Sequence, residues 1–288
     1  MLRLLFQCLS LWPLQMLWAL GALIGRLAWV VSKSYRQKSL KHLSIAGYDV
    51  TGFMPDRVRA HTGRLVAELP ALWFWPDARL FAHCESPSQT VLTQAIASAR
   101  LEQRGLLVVT PHLGSFEVIP RYIAQHVPMT VLFKPAKSQA LDRLLREARN
   151  RGVVRSVPAD LSGVRALLRC LKRGEAVGML PDQVPGNGDG ILAPFFGQQA
   201  WTMTLPQGLI ERVKPIVLFA IAERRLAIKP LDRGSWHIHF EIYNGESSPA
   251  AINAAMERWI RRFPEQYLWS YNRYKRSEER RVGKECRI

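Results

Sequence analysis

A histidine and a glutamate stand five residues apart in Thr110-Pro111-His112-Leu113-Gly114-Ser115-Phe116-Glu117, directly after the apolar run Leu106-Leu107-Val108-Val109. A carboxylate that orients an imidazole makes a general base for a hydroxyl. The apolar run reads as a buried β-strand. On an unbroken helix an offset of five turns about 140° away from the starting face, so the pair meets most easily across a break in structure. His112 then sits in the turn and Glu117 in the first turn of a following helix, with Pro111 and Gly114 allowing the bend. By spacing alone, the same residues equally describe a strand-end histidine and a solvated glutamate. Ser115 is a poor rival nucleophile, because Gly114-Ser115-Phe116 lacks the Gly-x-Ser-x-Gly elbow.

The elements that must position this stretch alternate along the chain. Met54 to Leu72 reads as a helix, with Val58, Leu65, Val66 and Leu69 roughly on one face. Glu68 lies in it beside Trp73, Phe74 and Trp75, and its place in core or site is open. Thr90 to Arg100 reads as a second helix. Met129 to Phe133 is a strand ending at Lys134-Pro135, and Ser138 can cap the helix that follows. That helix turns Leu141, Leu144, Leu145 and Ala148 inward and Arg143, Arg146 and Arg149 outward. Val153 to Val157 is the next strand. Val164, Leu167, Leu168 and Leu171 then mark an amphipathic helix closed by Gly174. Ala176 to Leu180 is a strand that delivers Asp182 and Gln183 at its carboxyl end, as the earlier strand delivers His112. Pro185 to Gly190 is a glycine-rich loop without the Gly-Lys-Ser/Thr of a nucleotide P-loop, and so reads as a mobile loop beside the site. Pro215 to Ala222 is another buried strand. Trp236 to Tyr243 alternates like an edge strand, and Ser248-Pro249 opens a last helix. The fold class is therefore α/β, a mostly parallel central sheet flanked by helices, with its site at the carboxyl ends of the strands.

Three blocks occur in order: His112-x4-Glu117, then Gly178-Met179-Leu180-Pro181-Asp182-Gln183, then Pro194-Phe195-Phe196-Gly197 with Ala200-x-Thr202. The combination resembles the late acyltransferases of lipid A biosynthesis, the lauroyl and myristoyl transferases within the lysophospholipid acyltransferase superfamily. The likeness runs from about residue 10 to about residue 275. The chain departs from the family at Ser115 and Phe116, where Asn and Trp are frequent. The resemblance implies a glycerolipid-acyltransferase-like fold and transfer of a fatty acyl group from acyl carrier protein to a hydroxyl of a phosphorylated, Kdo-bearing lipid A precursor. It implies His112 as base and Glu117 as its orienter, with no covalent acyl-enzyme and no cofactor. Arg149 is carried over as a phosphate or transition-state contact, because a guanidinium makes paired bonds to phosphate. Asp182 and Gln183 are carried over as further substrate-binding residues. Phe195, Phe196 and Trp201 line an acyl groove or simply pack in the core. A glycerolipid acyltransferase and a non-catalytic membrane-bound lipid-binding protein are the alternatives; a preference for glycerol phosphate decides for the first, and the ordered blocks argue against the second.

Composition points the same way. The net charge is +17, from 40 Lys and Arg against 23 Asp and Glu. Such a surface favours anionic partners, and with nine Trp and an apolar start it tilts towards lipid. No nucleic-acid recognition motif is present. Cys8, Cys84, Cys170 and Cys286 have no ligand spacing, which reads as reduced cytosolic thiols and gives no metal site. The run from Leu4 to about Gly25 is long enough to cross the hydrocarbon core of a bilayer, about 30 Å thick. Gln7, Pro13 and Gln15 weaken it, so a tilted or interfacial anchor is open; a cleavable signal peptide is the rival. Arg26, Lys33, Arg36, Lys38 and Lys41 follow the run and only Arg3 precedes it, which puts the body of the protein on the cytoplasmic face of a bacterial inner membrane. The expected organisation is an anchor over 1–31, a transferase domain over 32–275 that starts with a basic connector, and a tail over 276–288 that looks like translated adapter sequence.

Overall fold

The computed structural model describes residues 2–133, 138–150, 152–186, 190–226 and 234–275. The adapter-like tail, Lys134-Pro135 and the middle of the Pro185 to Gly190 loop (187–189) lie outside the described residues.

The chain begins with helices: α1 (Leu2–Ser10), α2 (Leu14–Val31), α3 (Lys33–Ile45), α4 (Met54–Ala67), α5 (Leu69–Phe74) and α6 (Asp77–Phe81). The short strand β1 (Cys84–Glu85) and α7 (Gln89–Leu101) lead into β2 (Leu106–Val109). Then come α8 (Ile119–Ile123), β3 (Met129–Phe133), α9 (Gln139–Arg149), β4 (Val154–Pro158), α10 (Leu161–Lys172) and β5 (Ala176–Met179). A hairpin of β6 (Gly190–Phe195) and β7 (Gln198–Met203) precedes α11 (Leu205–Val213), β8 (Ile216–Arg225), β9 (Ser235–Ile242) and α12 (Pro249–Arg262).

Seven strands form one sheet in the order β1-β9-β8-β2-β5-β3-β4, parallel except where β9 runs against β8. The central strands are continuous apolar runs because helices cover both faces. Leu106, Val108, Leu218 and Ala220 point to one side, against α2, α5 and α7. Leu107, Val109, Val217 and Phe219 point to the other, against α10, α11 and α12. The α/β class expected from the sequence is the class observed.

Four local expectations change. Met54 to Leu72 is two helices that part at Glu68, with Pro70 in the first turn of the second. Pro70 has no N–H to continue the ladder, which favours that break. The inward face of α4 is Val58, Ala60, His61 and Gly63, while Val66 is 57% exposed. The basic connector contains helix α3, capped by Ser32 accepting from the Tyr35 N–H. Ser138 precedes α9 without a side-chain cap.

The apolar start is likewise two helices, parted at Pro13. α2 is long and apolar enough to cross a membrane. Yet one side of it lies on α4. Gly21 and Gly25, four apart and so on one face, meet Gly63 so closely that a Cβ at Gly63 would stand 1.9 Å from the Gly21 carbonyl oxygen. Leu17 and Trp18 are buried in the main core. Met16, Leu23, Leu27 and Val30 are exposed on the opposite side.

Candidate active site

Parallel pairing of β2 with β5 aligns Val109 with Met179, and the Thr110 N–H continues the ladder to the Met179 carbonyl at 3.2 Å. The next residues leave the sheet in step. His112 and Asp182 each lie three positions past that last pair, which brings their side chains together. The His112 Nδ1 is 2.7 Å from one Asp182 oxygen, and the His112 backbone N–H donates to the other at 2.9 Å. The His112 side chain is 17% exposed and that of Asp182 2%. Burial would raise the Asp182 carboxyl, but the His112 charge and its two hydrogen bonds outweigh that and hold it below the usual range. With Nδ1–H given to Asp182, Nε2 keeps a lone pair; the Gln183 amide lies 3.0 Å from it. The Phe116 ring stands edge-on to the imidazole, centroids 4.9 Å apart.

This corrects one expected contact. Among the described residues Glu117 makes no hydrogen bond to His112; its two oxygens accept from Arg149 Nη2 and, at 3.1 Å, from Nε. Gly114 at φ +61 and a short 3-10 turn over Phe116–Val118 carry Glu117 away from the imidazole and towards the end of α9. Burial works against the charge of Arg149, and Glu117 more than offsets it, so the guanidinium is held more firmly charged than usual. Asp182 and Gln183, expected as substrate contacts, both hydrogen-bond His112, whereas Arg149 belongs to a second pair with Glu117.

The loop carrying His112 is fastened from beneath by residues that the sequence reading left unassigned. Glu68 and Arg224 form an ion pair with no side-chain exposure. Glu68 also accepts from Trp18 Nε1 at 2.8 Å, Ser115 Oγ at 2.8 Å and Trp236 Nε1 at 3.3 Å. Arg224 Nη2 donates to the Gly114 carbonyl at 2.7 Å, and Gln266 accepts from the Arg224 N–H at 2.8 Å. Gly114 and Ser115 donate their N–H groups to the Gln266 and Ala222 carbonyls, and Leu268 N–H donates to the His112 carbonyl. Gly114 is fitted to that seat: a Cβ there would stand 2.0 Å from the Ala222 oxygen, and its left-handed backbone suits glycine. Serine at 115 thus holds the loop down with its hydroxyl buried.

The Phe-Phe-Gly block is the tight turn between β6 and β7, with Phe196 and Gly197 both at positive φ, the signature of a two-residue hairpin. Phe195 and Phe196 are buried in the core on the α12 side of the sheet, and Trp201 is half-buried. Trp73 and Trp75 are core residues as well; Trp73 stacks on Phe6 of α1. The described cysteines are free.

A buried carboxylate thus holds one imidazole nitrogen at the carboxyl ends of the strands of a parallel sheet, the place where α/β folds carry their sites. The chain belongs to the bacterial lipid A biosynthesis acyltransferases, whose family model matches residues 5–276. It is 28% identical to the lipid A biosynthesis palmitoleoyltransferase of Escherichia coli (strain K12), over 91% of this chain and 86% of that one. It is 25% identical to the lauroyltransferase of the same strain, over 75% and 70%. A lipid A biosynthesis acyltransferase of Haemophilus influenzae is 25% identical over 65% of this chain and 59% of its own length. The protein is an acyltransferase of lipid A biosynthesis.

Proposed function

We propose that the protein moves a fatty acyl group from acyl carrier protein to a hydroxyl of a phosphorylated, Kdo-bearing lipid A precursor, with His112 as the base. The observation that carries this is the Asp182–His112 pair, with Nε2 left as the acceptor. The acceptor hydroxyl replaces the Gln183 amide at Nε2 and gives its proton to the imidazole as its oxygen attacks the thioester carbonyl. The Asp182 carboxylate stabilises the imidazolium. Collapse of the tetrahedral intermediate expels the thiolate, which takes the proton back. A thioester is already activated, so no enzyme nucleophile is needed. Glu117, in the turn after the His112 loop, pairs with Arg149 at the end of α9, whose side chain is 26% exposed and so open to a substrate oxygen. The names of the relatives, lauroyl and palmitoleoyl transferases, support an acyl chain of that kind. The net charge of +17 suits an acidic carrier and an anionic membrane.

The assay is transfer of a radiolabelled acyl group. Transfer from acyl carrier protein to the lipid A precursor should far exceed transfer from coenzyme A or to glycerol phosphate. A folded protein that prefers glycerol phosphate would overturn the reading.

The same proposal places α2 on the cytoplasmic face of the inner membrane, lying in the surface and not crossing it. A helix seated along its length on the polar α4 has only its outer face for lipid. Changing Met16, Leu23, Leu27 and Val30 together to Ser should therefore move much of the folded protein from the membrane to the soluble fraction. Deleting 1–31 should instead unfold it, because Trp18 would leave the core. Full membrane retention of the folded Ser variant would refute the placement.

A further inference from the structure

Arg57, His61 and Arg64 are four and three residues apart on α4, so they share one face of that helix. They line a cavity of about 760 Å³ whose opposite wall is the end of β8, including Arg224 and Arg225. Arg26 of α2 borders it. The cavity is not the His112 site, although Arg224 touches both.

Its charges do not balance internally: among the described residues five arginines line it against three carboxylates, Asp56, Glu223 and Glu265. Asp56 is taken by Arg26 and Arg59, Glu223 by Arg225 and His239, and Glu68 by Arg224. Arg57 and Arg64 have no carboxylate at ion-pair distance among the described residues. Three buried polar atoms on this wall also make no hydrogen bond among the described residues: Arg224 Nη1, Arg64 Nε and His61 Nδ1. Arg224 is 2% exposed and His61 7%. Buried polar groups are nearly always answered, so unanswered polar atoms on three residues that line one cavity point to a ligand. Burial, together with Arg224 and Arg26, draws the Arg64 guanidinium down to about 10. Burial and the three neighbouring arginines hold the His61 imidazole down at about 2 and so neutral. Burial is the larger cause of both, and the neighbouring arginines add to it.

We propose that this cavity binds a phosphate monoester group, held by Arg57, Arg64 and the free Nη1 of Arg224. Such a group carries nearly two charges at neutral pH and three acceptor oxygens, which match forked guanidinium donors better than a carboxylate does. A diester has one charge and fewer free oxygens, so the site should discriminate between the two. Because Arg224 Nη2 also holds the Gly114 carbonyl, an anion on Nη1 would brace the loop that carries His112.

The test uses the full chain in detergent or with vesicles. Calorimetric titration with inorganic phosphate is one arm. Partition onto phosphatidylcholine vesicles doped with phosphatidic acid, or with phosphatidylglycerol at equal surface charge, is the other. The variant is Arg57→Gln/Arg64→Gln, whose side chains lie outside the buried Glu68 network; circular dichroism checks its fold. Saturable phosphate binding should weaken at least about tenfold in the variant, as expected for losing charge-assisted bonds. A wild-type preference for phosphatidic acid that disappears in the variant identifies a lipid headgroup as the source. Phosphate binding without that preference identifies free phosphate. The cavity is not a phosphate site if wild type shows no saturable binding in either arm, or if the folded variant binds as wild type does. If the double variant fails to fold, Arg57→Gln alone, at an exposed position, carries the same comparison.

Discussion

His112→Ala should lower acyl transfer by at least about 10²–10⁴-fold, the range that a positioned general base contributes, while circular dichroism stays unchanged. Asp182→Asn should fall about as far, because an amide cannot hold Nδ1–H in the required tautomer with the same charge. Combining His112→Ala with Asp182→Asn should cost little more than His112→Ala alone, since residues that act as one unit are not additive. Glu117→Gln separates the two carboxylates. It loosens Arg149 but leaves the imidazole held, so the pH dependence of its remaining activity should follow wild type, whereas that of Asp182→Asn should shift. A folded His112→Ala protein with near wild-type turnover would sink the mechanism. A shifted profile for Glu117→Gln with an unshifted one for Asp182→Asn would return the orienting role to Glu117.

The largest effect on stability should come from Glu68→Ala, about 3–5 kcal/mol, because it strands the Arg224 charge in a dry interior. Trp18, Trp236 and Ser115 lose their acceptor at the same time. Denaturant melts would show it as a lower midpoint with an unchanged slope. Replacing both partners, Glu68→Leu with Arg224→Met, should recover part of the loss, since no lone charge remains. Recovery should be incomplete, because the Gly114 carbonyl and two indole N–H groups stay unanswered. An unchanged midpoint for Glu68→Ala would show that the pair does not hold the core.

The sheet was legible because its strands are short apolar runs between helices with regular spacing, as in Leu106–Val109 and Ala176–Met179. His112, Asp182 and Gln183 could be named because each follows such a run. Their contact could not, because it depends on which strands are neighbours. β2 and β5 are adjacent only after β3, α9, β4 and α10 have been placed around them. Proximity in sequence therefore favoured Glu117 over a residue 70 positions away. Glu68 was left open between core and site for a different reason. Nothing local in the sequence assigns its partners, and only the five donors converging on it from Trp18, Ser115, Arg224 and Trp236 explain its burial. The hairpin escaped because Phe at positive φ carries no common turn signal.

The fastening of the His112 loop by Gln266 and Leu268 has a consequence for the order of events in the cell. The ribosome releases α2, with its exposed apolar side, near the start of synthesis, and His112 well before the residues that clamp it. At about 5–20 residues per second, His112 waits roughly ten to thirty seconds for Leu268. During that interval the imidazole is still unmoored. Acyl transfer is thereby delayed until the polypeptide is almost finished, and a chain released early at any point before Gln266 would lack the clamp on its histidine.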